Sequence, residues 1–226
     1  MAVIEKNELP NDESFTFSNG YYSWITGIFV DIRNSSDLFA YEDKEKVSKI
    51  IRSFTSEVIE ILRKDDNLRE IGIRGDCVYA IYTTPFKNDI YELANKTFYI
   101  NTYMKMLNKL LLDRSLPTIQ VGIGMSTDKE LVVKAGRKNV GINSKVWIGK
   151  AVTRASNFSS LGSKKGNPPL VYSSCSYDNF IDELKEKNSG KDVKKWFKSH
   201  IDEGDGPYYT ANLLMTEFNR WISNGM

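Results

Sequence analysis

The sequence predicts an α+β domain in which long helices cover one face of an antiparallel sheet. Three observations carry this expectation. Residues 22–32 form an apolar, β-branched run that ends at Asp31-Ile32 and is interrupted only by Ser23, Thr26 and Gly27. Two later stretches repeat apolar residues at helical spacing. Strand-like segments stand before, between and after them. The order strand, helix, hairpin, helix, strand is the split-βαβ, ferredoxin-like plan.

Taken in order, residues 1–20 are polar and rich in Asn and Glu, and read as a loosely held arm, with the main domain at 21–226. Residues 22–32 read as a buried strand. Val47, Ile50, Ile51, Phe54, Val58, Ile61 and Leu62 then predict an amphipathic helix of about five turns. Residues 68–82 read as a hairpin whose tip is Arg74-Gly75-Asp76. A second long helix places Ile90, Leu93, Ala94, Ile100, Met104, Leu107 and Leu111 on one face. Residues 119–126 form a strand, with 130–134 pairing beside it. A helix opened by Gly149 is expected over 148–159, and a short strand over 169–173. From 176 onward, helical and turn signals mix around Gly204-Asp205-Gly206-Pro207, a C-terminal helical extension of the domain.

Composition narrows the chemistry. The 226 residues suffice for a core without a disulfide or metal staple. Lys+Arg is 31 against Asp+Glu 29, a net charge of +2, which argues against a strongly basic nucleic-acid binder. Cys77 and Cys175 make no disulfide framework, and a reducing, cytoplasmic home is expected. Residues 1–14 lack the apolar core of a signal peptide. No run approaches the about 18 apolar residues of a membrane span. His200 is the single histidine, so Ser-His pairs and multi-His metal sites are set aside. Chemistry must run on carboxylates, backbone amides and cations.

Asp31 ends the first strand and Asp76 sits at the hairpin tip. In a ferredoxin-like sheet those two strands are central neighbours, so the two carboxylates point at one spot. Two acids within about 4 Å repel unless a cation lies between them. Hard oxygen ligands beside a phosphate site suit Mg²⁺ or Mn²⁺. Such an arrangement can activate a hydroxyl and stabilise a leaving pyrophosphate. Taken singly, Asp31 reads equally as a helix N-cap and Asp76 as a turn residue. The next segment, Ile32-Arg33-Asn34-Ser35-Ser36, enters a helix whose free amides and hydroxyls can cradle a triphosphate, alongside ordinary capping by Ser35 or Ser36.

These residues resemble a class III nucleotidyl cyclase catalytic domain. The match is carried by Phe29-Val30-Asp31-Ile32 with Ser35-Ser36, by Arg74-Gly75-Asp76, and by Val121-Gly122-Ile123-Gly124. A fourth block is Trp147-Ile148-Gly149-Lys150-Ala151-Val152-Thr153-Arg154-Ala155-Ser156. The four blocks stand in the family's order and span about residues 22–171. The stretch Leu131-Val132-Val133-Lys134-Ala135-Gly136-Arg137 and the single-domain length further resemble the pyrimidine cyclases of the bacterial Pycsar antiphage system, which make cyclic UMP or cyclic CMP.

The resemblance implies the class III cyclase fold and two Mn²⁺ or Mg²⁺ ions on Asp31 and Asp76, with the Ile32 carbonyl as a further ligand. It implies attack of the 3′-hydroxyl on the α-phosphorus of a nucleoside triphosphate, and a head-to-tail homodimer with shared sites. Thr153 and Arg154 on the late helix become catalytic residues supplied to the other subunit, the helix and the aspartates lying on opposite faces of one monomer. Phe29, Ile32, Arg33, Asn34, Ser35, Ser36, Gly72, Arg74, Val146 and Asn157 become substrate contacts. No nucleic acid or membrane partner is implied, and the cyclic nucleotide acts on a separate effector. Thr153 stands where the family has a ribose-orienting Asn, and Asn157 where it has a phosphate-binding Arg or Lys. Arg154, Lys150 or the Lys164-Lys165 pair are the cations left to replace it. At the two positions that read a purine edge in related enzymes, this chain has Gly72 and Val146. Absent hydrogen-bonding groups cannot select a purine, so the expected substrate is UTP or CTP.

Other readings are a purine cyclase or an inactive, dimeric nucleotide-binding module. Retention of both aspartates argues against the latter. An RNA-binding domain would need an aromatic, basic strand where 121–125 offers only Val, Gly, Ile and Met. A diguanylate cyclase would need a Gly-Gly-acid-acid-Phe hairpin, which is missing. Trp147, Tyr21 and Tyr22 read as packing aromatics, Cys77 as a small strand residue, and His200 as a surface or partly buried side chain.

Overall fold

The computed structural model describes residues 1–137, 141 and 143–226. Its strands are β1 (Ala2–Glu5), β2 (Asn19–Ile32), β3 (Leu68–Arg74), β4 (Cys77–Thr83), β5 (Val121–Gly136), β6 (Asn143–Ile148), β7 (Leu170–Ser173), β8 (Phe197–Asp202) and β9 (Gly206–Ala211). Its helices are α1 (Ser35–Ala40), α2 (Lys44–Arg63), α3 (Lys87–Asp113), α4 (Ala151–Leu161), α5 (Ser174–Lys187) and α6 (Thr216–Ser223).

The strands form one sheet in the order β3-β4-β2-β5-β7-β9-β8, with β1 beside β2 and β6 beside β5. The ferredoxin-like heart, β3-β4-β2-β5, is antiparallel throughout, as expected. Among the described residues, parallel pairing enters only where β7 joins β5 and where β1 joins β2.

Alternation along β2 sorts its side chains between two faces. Ile28, Val30 and Ile32 enter a core with Val47, Ile50, Phe54, Val58 and Leu62 of α2 and Ile90, Leu93, Ile100 and Leu107 of α3. The α2 stripe is the one legible in the sequence. Its start is fixed by Asp43, whose carboxylate accepts from the Lys46 amide at 3.0 Å. Phe180, Ile181 and Leu184 of α5 extend the same core.

α4 lies on the other face. It approaches so closely that a Cβ on Gly122 would sit 1.9 Å from the Ser159 carbonyl oxygen, and one on Gly124 2.1 Å from that of Ala155. Only glycine permits this contact. Among the described residues, no helix is long and apolar enough to cross a membrane.

Four sequence expectations are corrected. The arm is docked rather than loose, because Leu9 and Phe15 are buried with Tyr21, Ile25 and Val132, and β1 extends the sheet. Residues 130–134 are no separate strand but the far half of β5, which pairs with β2 and then with β6. The late helix starts at Ala151, because Ile148 still pairs with Leu131 in the ladder. The C-terminal extension is not purely helical, since β8 and β9 add a hairpin to the sheet edge.

Candidate active site

Register brings the expected residues into two rows on the α4 face, because directly opposed residues of an antiparallel ladder point to the same side. Asp31 of β2 faces Cys77 of β4 and Gly122 of β5, and Cys77 faces Arg74 of β3. One pleat further on, Phe29 faces Tyr79 and Gly124, and Tyr79 faces Gly72. Phe29, Asp31, Gly72 and Arg74 therefore share one surface.

Asp76 reaches this surface through a tight turn in which Gly75 adopts φ +64°, a conformation that costs glycine little. The two carboxyls lie close enough to interact. Burial pushes the Asp31 pKa up, the Arg33 guanidinium opposes this, and the Asp76 charge with a shared side-chain hydrogen bond raises it again. Arg33 folds back to ion-pair with Asp31 and donates from Nη1 to the Ser160 carbonyl at 3.0 Å. In this structure its charge faces the acid rather than an open cradle.

Asn34 takes a left-handed conformation, φ 52°, at the head of the short helix α1, and its side chain makes no capping bond. Neither Ser35 nor Ser36 caps α1, since both lie inside it. Ile32 buries its side chain in the helical core, leaving only its backbone to the site.

The space over Gly72 is not empty. A Cβ there would meet the Tyr79 hydroxyl at 2.8 Å. The Tyr79 ring stacks on Phe29, with centroids 5.4 Å apart and planes 18° from parallel. Its hydroxyl donates to Glu70 Oε1 at 2.9 Å, and Trp147 Nε1 donates to Glu70 Oε2 at 2.9 Å. Burial and the Glu70 hydrogen bond raise the Tyr79 pKa, which keeps the phenol neutral. Val146 does not meet Gly72 within one chain. It alternates with Trp147 on β6 and is 42% exposed.

On α4, Thr153 and Asn157 share the exposed face one turn apart. Asn157 donates to Asp205 Oδ2 at 3.1 Å in the β8–β9 turn. Arg154 lies 3.7 Å from Asp128 and 3.7 Å from Asp205. Lys150, Lys164 and Lys165 are exposed. The expectation that α4 and the aspartates occupy opposite faces of the monomer is corrected: Asp31 pairs with Gly122, against which the end of α4 packs. What separates them is distance along the helix. Thr153 precedes Ser159 by six residues, about 9 Å. Within one chain, Thr153 is not brought to Asp31.

Asp31 and Asp76 fit a divalent cation by donor chemistry, since two neighbouring hard-oxygen acids destabilise one another until a cation separates them. Among the described residues no third His, Cys, Asp or Glu joins them. The remaining coordination positions would fall to backbone, water or substrate oxygens. Tyr79, Glu70 and Asp205, which contact the expected residues, were missed by sequence reasoning. Tyr79 had a signal, being two residues from Cys77 on the same strand face, but its partners needed the register.

Fold and sheet surface together define a nucleotide-cyclising domain. The model of the adenylate and guanylate cyclase catalytic domain matches residues 18–166, and the chain belongs to that family. It is a nucleotidyl cyclase. A uridylate cyclase of Treponema porcinum is 54% identical over 226 residues, covering 100% of this chain and 76% of that protein. A uridylate cyclase of Gulbenkiania mobilis is 25% identical over 228 residues, covering 96% of this chain and 87% of that protein. The crystal structure of the adenylyl cyclase CyaB from P. aeruginosa superposes with a TM-score of 0.65 at 18% identity, over 85% of this chain and 95% of that one. The guanylate cyclase domain of RhGC from Catenaria anguillulae, in complex with GTP, gives a TM-score of 0.58 at 16% identity, over 85% and 97%.

Proposed function

We propose that this enzyme is a pyrimidine nucleotide cyclase that converts UTP, with CTP as the second choice, to the 3′,5′-cyclic monophosphate and pyrophosphate. The observation that carries the base preference is the Tyr79 ring over Gly72, hydrogen-bonded to Glu70. It fills the region where a purine-reading side chain would stand. The uridylate cyclase names of the two relatives support the same reading.

In the reaction, a bond forms between the ribose O3′ and the α-phosphorus, the bond from the α-phosphorus to the bridging oxygen of pyrophosphate breaks, and the O3′ proton passes to solvent water. Asp31, Asp76 and the Ile32 carbonyl would hold Mn²⁺ or Mg²⁺, two per site. Such ions lower the pKa of the attacking hydroxyl and neutralise charge on the leaving group. The amides and hydroxyls of the Arg33-Asn34-Ser35-Ser36 turn would receive the triphosphate, with Arg33 exchanging Asp31 for phosphate oxygens. Arg74, on the Asp31 row, would meet the nucleotide edge. Thr153 would orient the ribose, and Arg154 would supply the cation missing at Asn157.

Because Thr153 stands about 9 Å along α4 from the Asp31 end of the same chain, these contacts belong to a homodimer in which each subunit lends its α4 to the other's aspartates. Val146 would approach the base by the same route. The resemblance to Pycsar cyclases further suggests a cytoplasmic antiphage role, the cyclic nucleotide acting on a separate effector.

The test is incubation of the protein with Mn²⁺ and all four nucleoside triphosphates, followed by mass analysis. Cyclic UMP should dominate, and Asp76→Ala should abolish it with fold and dimer intact. Faster turnover of ATP or GTP than of both pyrimidines would overturn the substrate assignment. Bound nucleotide with no cyclic product would point to a binding module.

A further inference from the structure

Glu130 has no part in the chemistry described so far, yet it is one of the most deeply buried charged side chains in the molecule, at 0% exposure. It projects from β5 into the start of α4. Its Oε1 accepts from the amides of Ala151 at 2.6 Å and Val152 at 3.2 Å, the first two residues of that helix. Its Oε2 is buried with no partner. Lys150, at the N-cap position, offers no side-chain bond. A Cβ on Gly149 would lie 2.5 Å from the Glu130 Cγ, so the link from β6 into α4 is built closely around this carboxylate.

Capping alone does not require such an arrangement. A Ser, Thr or Asp at position 150 would cap the Val152 or Thr153 amide from the surface, with no buried charge. What a residue on β5 adds is a fixed point: it ties the first turn of α4 to the central sheet. Thr153 follows two residues after the first capped amide, and Asn157 one turn later.

We propose that Glu130 is a positioning residue for the cyclisation, holding α4 so that Thr153 and Asn157 present a set geometry to the nucleotide bound by the other subunit. The inference rests on the shared-site reading above. Reacting groups displaced by about 1 Å can lose a hundredfold in rate, and a helix released at its first turn can shift by that much while the fold persists.

The experiment uses purified full-length dimers with Mn²⁺ and UTP. Glu130→Leu keeps the volume and removes the acceptor, whereas Glu130→Gln keeps an acceptor for both amides. Glu130→Leu should lower kcat by about 10- to 100-fold with KM little changed, and Glu130→Gln should recover most of it. Mixing separates positioning from general damage. Equal amounts of Asp31→Ala and Glu130→Leu subunits should regain about a quarter of wild-type activity, because half the dimers are mixed and each holds one intact site. A control mixture of Asp31→Ala with Thr153→Ala/Asn157→Ala subunits should do the same.

Recovery in the control alone would overturn the role of Glu130 and leave the shared site standing. No recovery in either mixture, with mixed dimers shown to form, would overturn the shared site and this role with it. An unchanged kcat in Glu130→Leu would also overturn it. Should that variant fail to dimerise, Gly149→Ala, whose added methyl presses on the same side chain, is read in the same mixtures with the same expected recovery.

Discussion

At the scale of single residues, Tyr79 and Glu130 each make a separate prediction. Tyr79 is held by Glu70 and stacked on Phe29, so its position is over-determined rather than incidental. If bulk selects against purines, Tyr79→Ala should raise ATP turnover relative to UTP by about tenfold or more, whereas Tyr79→Phe should keep the selection. Competition assays with paired nucleotides read the ratio directly. An unchanged ratio in Tyr79→Ala would remove the steric argument. Glu130 makes a different prediction. Burial raises its pKa, against the lowering effect of the Val152 and Ala151 amides, and Asp128 adds to the rise. The folded chain therefore binds this proton more tightly than the unfolded chain, so stability must fall as pH rises from the ordinary carboxylate range through the raised value. Urea midpoints of wild type and Glu130→Gln across the acidic to neutral range should diverge in that sense, the wild type losing more with rising pH. A difference that stays constant with pH would contradict it.

At the scale of elements, α4 is the part whose placement is least forgiving. Its backbone rests on Gly122 and Gly124 with no side chain between. Gly124→Ala would put a methyl 2.1 Å from the Ala155 carbonyl oxygen, and backbone cannot move aside as a flexible side chain can. Overpacking of this kind costs about 1–3 kcal/mol. We expect a lowered thermal midpoint together with a loss of cyclase activity larger than the lost stability explains, measured at a temperature where the variant stays folded. Loss of stability with full activity would mean that α4 tolerates displacement. On the helix side, α2 and α3 instead bury flexible side chains in one core.

At the scale of the whole molecule, the proposed shared site requires a second copy, because Thr153 and Asp31 of one chain are not brought together. Asp31 stands opposite Gly122, against which the end of α4 packs, whereas Thr153 lies exposed about 9 Å back along that helix. An enzyme completed only by a second copy must lose specific activity on dilution, as dimers dissociate. Initial rates measured over falling protein concentration should therefore drop faster than linearly, in step with the dimer fraction from light scattering. Strict proportionality down to concentrations where the protein is monomeric would exclude a shared site. The docked arm belongs to this scale too. Lys145 of β6 bonds Asp12 at 2.7 Å and the Arg69 carbonyl at 3.1 Å, and Arg69 donates to the Leu9 carbonyl at 2.8 Å. The arm thereby ties β6 to β3 beside the Tyr79 cluster.

The sequence by itself determined the central sheet, the two long helices and the pair of aspartates. Those features are local: a period of two or 3.6 in apolar residues, and acids at the ends of apolar runs. Alternation along residues 28–32 separates Val30, which enters the core, from Asp31, which does not. The tertiary structure alone decided the rest. That Tyr79 fills the space over Gly72 depends on the register between β3 and β4, and that Asp205 holds Asn157 depends on a hairpin returning from 48 residues away. The polar look of residues 1–20 hid Leu9 and Phe15, whose burial requires a surface that exists only once β2 and β5 have paired. Glu130 carries no signal in the sequence beyond its place in a strand. Only the close packing of α4 on a glycine-lined sheet turns it into a buried cap, because burial is a property of what folds over a residue and not of the residue's own neighbours in the chain.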